Sequence, residues 1–317
     1  YEPQPIAWAL DGIPDNFEFT LLDANWAHFE PFMEAAMARV PALREAGIRQ
    51  LINGPESFTP DGNFILGEAP ECSGYFVGAG FNAFGIAAGG GAGQALAEWI
   101  YAGEAPYDLW PVDIRRFGPP HRDVTWVRAR TLEMYGKHYS IAWPHEESSS
   151  ARPLRRSPLY DRLKNAGACF GEKLGWERAN WFAAGSLKAR DPIDAYGFEH
   201  QPWFDAVAQE HHAVRRKVGL FDQSSFAKFL VTGQGAQAGL QWLCANDVGV
   251  SPGRVVYTQL LNTRGGIECD LTIVVLSPER YYIVTGTGFA THDLDYLTRG
   301  LRETADDQIS EVTSGYS

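Results

Sequence analysis

Apolar side chains recur at helical spacing from Trp26 to Leu43, through Phe29, Phe32, Met33, Ala36, Met37 and Val40, and Gly47 supplies a stop. Pro41 must kink or divide that segment, because its ring removes a helix donor and clashes with the preceding turn. The residues before it, Tyr1 to Asn25, alternate irregularly and contain Pro3, Pro5 and Pro14, which suggests short strands with turns. Leu51 to Leu66 reads as two strands around the turn Thr59-Pro60-Asp61-Gly62-Asn63. A short strand at Tyr75-Phe76-Val77 leads into a glycine-rich loop, Gly78 to Gly85, and then a helix to Ile100, closed by Gly103 and Pro106. Ala102 to Pro120 reads as irregular chain over a surface, and Thr125 to Tyr139 as a helix. Helical segments follow at Tyr160 to Phe170 and Ala206 to Gly219. From Ser225 the pattern turns to strands at Phe229-Val231, Val255-Tyr257, Leu271-Leu276 and Tyr281-Val284, with one helix, Gln237 to Ala245, among them.

Composition narrows the class. The 317 residues are 45% apolar and 13% aromatic, enough to build real cores, and the length fits two domains. A net charge of −12 argues against nucleic-acid binding, which needs clustered Lys and Arg. The densest basic stretch, Arg152 to Arg162, reads as part of a solvated linker; His145 to Pro158, with three consecutive serines, is the clearest linker in the chain. Cys72, Cys169, Cys244 and Cys269 are far apart with no histidine at metal spacing, so reduced thiols in a cytosol-like compartment, and no metal, are expected. No apolar run is long enough to span a bilayer, so no membrane partner is expected. The chain starts at Tyr1, mid-pattern and without Met, which suggests an internal fragment.

The segment Tyr75 to Ala83 matches GxGxxA between a strand and a helix. Against a dinucleotide fold, no second strand follows at the required distance and no acidic residue closes one. A helix N-terminus with free N–H groups, approached closely through Gly78, Gly80 and Gly85, suits a flat ring that gains negative charge on reduction. Equally, Gly85, Gly89, Gly90, Gly91 and Gly93 would let a helix pack tightly against a sheet. The residues alone leave both readings open.

The blocks GPESFTPDGNF, GYFVGAGFNAFGIAAGGGAGQALAEWI, DLWPVDIRRFG and SSARPLRRSPLYDRL together resemble the sarcosine and dimethylglycine dehydrogenase family of the D-amino-acid-oxidase-like flavoproteins. The resemblance covers essentially the whole chain. It implies an α+β architecture: residues 1–101 as the C-terminal part of an FAD-dependent oxidoreductase domain, 102–157 as a central domain, and 158–317 as the first half of an aminomethyltransferase-like, folate-binding domain. It places Gly78, Gly80, Phe81, Asn82, Phe84, Gly85 and Ile86 against the flavin and Pro55, Glu56 and Phe58 on the substrate side. Glu56 as a partner for a cationic amine competes with the commoner solvated strand-edge glutamate. Related monomeric oxidases attach flavin through a cysteine where this chain has Gly54. The family dehydrogenases use a histidine in an N-terminal part that this sequence lacks, so the chain alone is expected to hold FAD poorly.

The second half, through EHHAVRRKVGLFDQSSFAKFLVTG and GRVVYTQLLNTRGGIECDLTIVVLSPERYYIVTG, resembles the glycine-cleavage aminomethyltransferase fold, which implies tetrahydrofolate. Asp270 is the residue of interest. It opens an apolar strand where a carboxylate is costly unless paired, and on its own reads as a solvent-facing strand residue sharing a side with Glu268. The resemblance makes it the base or electrostatic stabiliser of folate attack on an iminium. It places Tyr257 against the pterin, although such an aromatic is more often core. His211 and His212 read as helix surface, and Trp176, Trp181, Trp203 and Trp242 as core or inter-domain packing.

The resemblance thus implies FAD-dependent oxidation of an N-methyl amine of the sarcosine or dimethylglycine type, coupled to one-carbon transfer to tetrahydrofolate. An electron-transfer flavoprotein or oxygen would take the electrons, in the cytoplasm or, in a eukaryote, the mitochondrial matrix. Two other readings stand beside it: a non-catalytic homologue of the pyruvate dehydrogenase phosphatase regulatory subunit type, and a folate-dependent aminomethyltransferase with a scaffold-only flavin half.

Overall fold

The computed structural model describes residues 16–183, 194–201, 203–301 and 307–316. Most of the expected N-terminal strands, at residues 1–15, lie outside the described residues. Between 16 and 25 only Leu22 pairs, in an isolated antiparallel bridge with Asn53. Helix α1, Trp26–Arg39, starts where Asn25 Oδ1 accepts from the His28 N–H at 3.0 Å, a side-chain cap for an otherwise orphaned donor. Pro41 divides the segment as expected, opening a separate 3₁₀ turn at Pro41–Arg44.

The span from Leu51 to Leu66 corrects the expectation of two strands. Only one forms, β1 (Ile65–Glu68), and it pairs antiparallel with β2 (Phe76–Ala79), Ile65 opposite Ala79. The upstream residues commit their polar groups to a side-chain knot instead. The Thr59 N–H donates to Asn82 Oδ1 at 2.9 Å, the Thr59 hydroxyl to the Asn63 carbonyl at 2.8 Å, and the Asn82 N–H to the Ser57 carbonyl at 3.0 Å. Helix α2 (Gly85–Ala102) ends on Gly103, whose φ of 79° gives the left-handed turn that glycine adopts without Cβ strain. Gly67, at φ 114°, is obligatory in another way: a Cβ there would lie 2.8 Å from the Trp99 ring.

The stretch 102–120 folds into 3₁₀ turns, including Trp110–Val112 and Ile114–Arg116, gathered round buried Asp113. Asp113 accepts from Arg115 Nε and Nη2 at 3.0 and 2.7 Å and from the Arg115 N–H at 2.7 Å. Arg115 also faces Asp295 at 3.4 Å, Asp295 accepts from Arg299 Nε at 2.9 Å, and Arg299 pairs with Glu68 of β1. Five charged side chains therefore form one continuous ladder, with the Arg115 guanidinium 5.5 Å above the buried Trp99 ring.

Helix α3 (Val124–Lys137) is capped by Asp123. The stretch after it is not the expected solvated linker. Glu133 accepts from the N–H groups of Ser149 and Ser150 and from Lys137, which, against the cost of its burial, holds its pKa down at about 2. Arg152 makes a two-pronged pair with buried Glu177, and Arg155 stacks 4.1 Å over Trp176 while bridging that residue in parallel. Serine, proline and arginine here stitch chain to chain; composition cannot tell that from solvation.

Helix α4 (Tyr160–Ala166) ends at Gly167, four residues short of the expected limit, because the chain enters a hairpin. That hairpin, β3 (Ala168–Lys173) with β4 (Trp176–Phe182), turns through Leu174 and Gly175, both at positive φ (49° and 79°) as a twisted two-residue turn requires. Helix α5 covers Trp203–Arg216 and leaves His211 and His212 exposed. The rest is an antiparallel five-stranded sheet in the order β6 (Val255–Leu261), β7 (Ile267–Ser277), β8 (Arg280–Thr285), β5 (Ala227–Thr232), β9 (Gln308–Glu311). Strand β9 went unread in the sequence. Along β7, Cys269, Leu271, Ile273 and Val275 are buried in alternation against helices α6 (Ala236–Leu243) and α7 (Ala290–Leu301). Trp242 corrects its reading as packing: α6 buries Ala236, Gly239 and Leu240, so Trp242 lies on the opposite side, 80% exposed. Among the described residues no helix is long and apolar enough to cross a membrane.

Removing Asp113 leaves Arg115 buried with Asp295 as its nearest remaining anion. Asp113→Ala should therefore destabilise this region by about 3–5 kcal/mol, the range for stripping one partner from a buried pair, seen as a lowered thermal midpoint. A midpoint within the error of wild type would show that the ladder carries no structural weight.

Candidate functional site

Two regions hold the residues singled out by sequence. In the first, Gly80 follows β2 at φ 63°, and a Cβ there would meet Thr59 Cγ2 at 2.5 Å. Its glycine requirement is thus internal: backbone conformation and the Thr59 contact, whatever lies outside. Asn82, also at positive φ (49°), is 1% exposed, and its side chain turns inward, accepting from Thr59 and donating to the Gly80 carbonyl at 2.6 Å. Its backbone N–H is committed too, to the Ser57 carbonyl, so its backbone carbonyl is what remains for a ligand. Phe81 stacks on Phe64 at 5.1 Å. Phe84, the residue that precedes α2, is exposed, and Ile86 is fully exposed.

The N–H groups of Gly85, Ile86 and Ala87 precede the first intrahelical bond of α2, from Ala88 to Phe84. Nothing among the described residues comes within 4 Å of a Cβ built on Gly89, Gly90, Gly91 or Gly93. The reading in which these glycines admit a packed sheet finds no such sheet among the described residues. Gly78 is close-packed, 3.1 Å from Leu96, whereas Gly85 is in ordinary contact with Phe81 at 3.6 Å.

Pro55 and Glu56 are exposed on irregular chain. Phe58 parts from them: it is half-buried against α3, edge-on to Tyr135 and His138 at 5.0 Å each. Phe84 also reaches His138, at 5.2 Å. A cavity of about 650 Å³ opens beside this aromatic corner, lined by Phe84, Trp110, Arg116, His121, Lys137 and His138 among others. Burial, ahead of the nearby Arg130 charge, brings His121 down to about 4, so it is neutral at pH 7; its Nδ1 accepts from the Gly118 N–H at 3.0 Å.

The second region lies at the start of β7. Asp270 is exposed on the open face of the sheet, so the desolvation cost expected from its apolar flank does not apply. It is nevertheless paired. The Tyr257 hydroxyl donates to Asp270 Oδ2 at 2.7 Å, and this bond raises the Tyr257 phenol above its usual value. Strand register brings them together: Gln259 lies opposite Asp270, and Tyr257, two residues earlier, occupies the same face on the diagonal. Asp270 opens into a cavity of about 710 Å³ lined also by Tyr107, Trp110, Arg115, Arg264, Glu268 and His292. Trp110 lines both cavities.

Glu268 does not share Asp270's partners. Asn262 Nδ2 donates to it at 2.8 Å, and His292 Nε2 lies 3.7 Å away; the His292 contact, against partial burial, holds Glu268 below its ordinary value. His292 Nδ1 meets Asp293 Oδ1 at 2.9 Å, and the Thr285 hydroxyl donates to Asp293 Oδ2 at 2.5 Å. Cys269, His292 and Asp293, all buried, bring one ligand-type atom each within 4.8 Å of the others. Cys269 and His292 thus meet through sheet–helix packing, which sequence spacing cannot register. Asp293 is already partnered with His292 and Thr285, and burial pushes the Cys269 thiol far up. Sequence reading missed His292 and Asp293. The available signal was Asp293 on the same α7 face as Leu297 and Leu301, a carboxylate on an apolar stripe.

Comparison with known proteins divides the chain. Residues 159–317 match the GCVT N-terminal domain, 102–157 the FAD dependent oxidoreductase central domain, and 9–99 an FAD dependent oxidoreductase domain. The mitochondrial sarcosine dehydrogenase of Homo sapiens is 38% identical over 341 residues, covering 96% of this chain and 37% of that protein. The formaldehyde-forming 4-methylaminobutanoate oxidase of Paenarthrobacter nicotinovorans is 42% identical over 299 residues, 94% of this chain and 36% of that protein. The mitochondrial regulatory subunit of pyruvate dehydrogenase phosphatase from Mus musculus is 36% identical over 319 residues, 100% of this chain and 36% of that protein. The chain spans about 37% of the length of the first of these relatives.

The two loop glycines give a matched test. Gly80→Ala should cost about 1–3 kcal/mol from its left-handed φ alone, before the Thr59 clash, whereas Gly85→Ala should leave the thermal midpoint near wild type. Equal midpoints for the two variants would contradict the internal role given to Gly80.

Proposed function

We propose that this chain, which belongs to the sarcosine and dimethylglycine dehydrogenase family, is part of an FAD-dependent enzyme that oxidises an N-methyl amine and passes the released carbon to tetrahydrofolate. The observation that carries the reading is the Tyr257–Asp270 hydrogen bond, 2.7 Å, at the mouth of the 710 Å³ cavity. We take residues 1–101, 102–157 and 158–317 as its oxidoreductase, central and folate-binding parts.

The flavin side fits its cofactor in one respect that the structure itself supplies. The α2 N-terminus presents N–H groups without intrahelical acceptors beside an open, glycine-lined face, flanked by exposed Phe84 and Ile86. Gly78, Gly80, Phe81, Asn82, Phe84, Gly85 and Ile86 would border the ring, Asn82 by its backbone alone, and Pro55 and Glu56 would reach the substrate side. Phe58 would act from behind, through His138. When bound, the flavin supplies hydride acceptance from the N-methyl carbon.

On the folate side, one Asp270 oxygen is held by Tyr257, which leaves the other for the reaction. Asp270 would take the proton of the folate nitrogen that bonds to the methylene carbon of the substrate iminium and return it to the amine nitrogen. The demethylated amine then leaves as its C–N bond breaks, and the second folate nitrogen, losing its own proton, closes the methylene bridge. Where folate is absent, water takes its place and formaldehyde results. Because Trp110 borders both cavities, the two sites abut. Sarcosine, dimethylglycine and 4-methylaminobutanoate are the candidate amines, an electron-transfer flavoprotein or oxygen the acceptor, and the mitochondrial matrix the compartment in a eukaryote.

The relative that is a phosphatase regulatory subunit supports a second, non-catalytic reading, since it aligns with the whole chain. One experiment separates the two. The full-length parent is mixed anaerobically with each amine while its oxidised-flavin absorbance is followed, and the product carbon is then assayed with tetrahydrofolate present. We expect bleaching by at least one amine, and Asp270→Asn should cut methylene transfer by about 10²-fold in favour of formaldehyde. A parent that binds no flavin, or is unresponsive to all three amines, overturns the enzyme reading.

A further inference from the structure

We infer that the His292–Asp293 pair at the start of α7 is a positioning device that holds Asp270 in place for the transfer to folate. The inference rests on the reading of Asp270 given above. The pair grips three consecutive residues of β7. Its Asp293 carboxylate takes the Thr285 hydroxyl at 2.5 Å, and that hydroxyl lies 3.3 Å from the Asp270 carbonyl oxygen. The Cys269 thiol, 2% exposed, lies within 4.8 Å of the same carboxylate. His292 Nε2 faces Glu268 at 3.7 Å, and Asn262 fixes the far side of that carboxylate at 2.8 Å.

The pair is itself immobilised. His292 and Asp293 are 6% and 1% exposed, and the imidazole lies edge-on to Trp110 at 5.5 Å and parallel to Tyr296 at 6.4 Å. Asp270 is exposed; its side chain bonds to Tyr257 and its backbone pairs with Gln259 of β6, and a further support reaches it from beneath. The only groups that reach it from below, among the described residues, are Thr285 and, through it, Asp293. A reacting carboxylate displaced by an ångström costs up to about 10²-fold in rate, so such a support has a kinetic consequence.

The grip is strongest with His292 charged. The charged or titratable groups facing it are Glu268 and Cys269 from β7, Asp293 and Tyr296 from α7, and Arg115 from the turn at Ile114–Arg116. Burial and Arg115 oppose the charge, but the bonds to Asp293 and Glu268 outweigh them and raise the imidazole above 6.5. The charged form's contribution is therefore complete below pH 6.5 and is lost as pH rises through the raised value.

The test uses the full-length parent and the ratio of methylene-tetrahydrofolate to formaldehyde formed per amine oxidised, measured on the alkaline side of pH 6.5. In wild type the ratio should fall as pH rises. In His292→Asn, which keeps a donor toward Asp293 but carries no charge, the ratio should start lower by up to about 10²-fold and stay flat with pH. Thr285→Val, which removes the hydroxyl from both Asp293 and Asp270 but keeps His292, should lower the ratio while keeping the pH dependence. A second readout is independent of turnover: the Tyr257 phenol, assigned by its loss in Tyr257→Phe, should titrate closer to 10 in His292→Asn, because Asp270 no longer stays against it. A folded His292→Asn protein with wild-type ratio, pH profile and Tyr257 titration overturns the inference. A wild-type parent that makes no methylene-tetrahydrofolate overturns the underlying reading instead, and the Tyr257 titration still decides whether the pair positions Asp270.

Discussion

The ladder Glu68–Arg299–Asp295–Arg115–Asp113 is the constraint on which the rest of this structure depends. It draws its members from β1, from the turns after α2, and from α7, three segments far apart in sequence. Buried ion pairs of this kind contribute little net stability, because desolvation offsets most of the Coulombic gain. Their effect is selective: any arrangement that separates the segments leaves a buried charge unmatched. Trp99 lies beneath Arg115 and against Gly67, so the apolar packing of β1 and α2 registers to the same point.

Helix α7 then acts as a common spine. Its Asp295 reaches Arg115 and its Arg299 reaches Glu68 of β1, while in its first turn His292 faces Glu268 of β7 and Asp293 takes the Thr285 hydroxyl of β8. Its apolar residues Leu297 and Leu301 lie in the core of the five-stranded sheet. One helix thus ties β1 to the start of β7. The two cavities meeting at Trp110 lie beside that spine, since Trp110 packs on Phe289 at 4.7 Å and on His292.

Much of this was legible in the sequence. Four of the five strands of the C-terminal sheet, helix α6 and the Gly103 stop follow from alternation, helical spacing and glycine chemistry. Family resemblance singled out Asp270 and Tyr257 separately. Their hydrogen bond depends on strand register, with Gln259 opposite Asp270, and register is not written in either residue. The stretch around Arg152 was misread because serine, proline and arginine look alike whether they meet water or, as here, Glu177 and Glu133. The packing of Phe58 on α3 was not legible either, because the Thr59–Asn82 knot stands in place of the expected strand. His292 and Cys269 came together through sheet–helix packing, beyond the reach of any spacing rule.

The most direct test of the ladder as the organising constraint is amide hydrogen exchange in the full-length parent carrying Arg115→Met. Methionine keeps much of the volume over Trp99 but leaves Asp113 and Asp295 without their shared cation. If the ladder makes the three segments one body, protection should fall together at Gly67 in β1 and along α7, well away from the substituted turn. Loss of protection confined to residues 113–116, with β1 and α7 unchanged, would contradict the account.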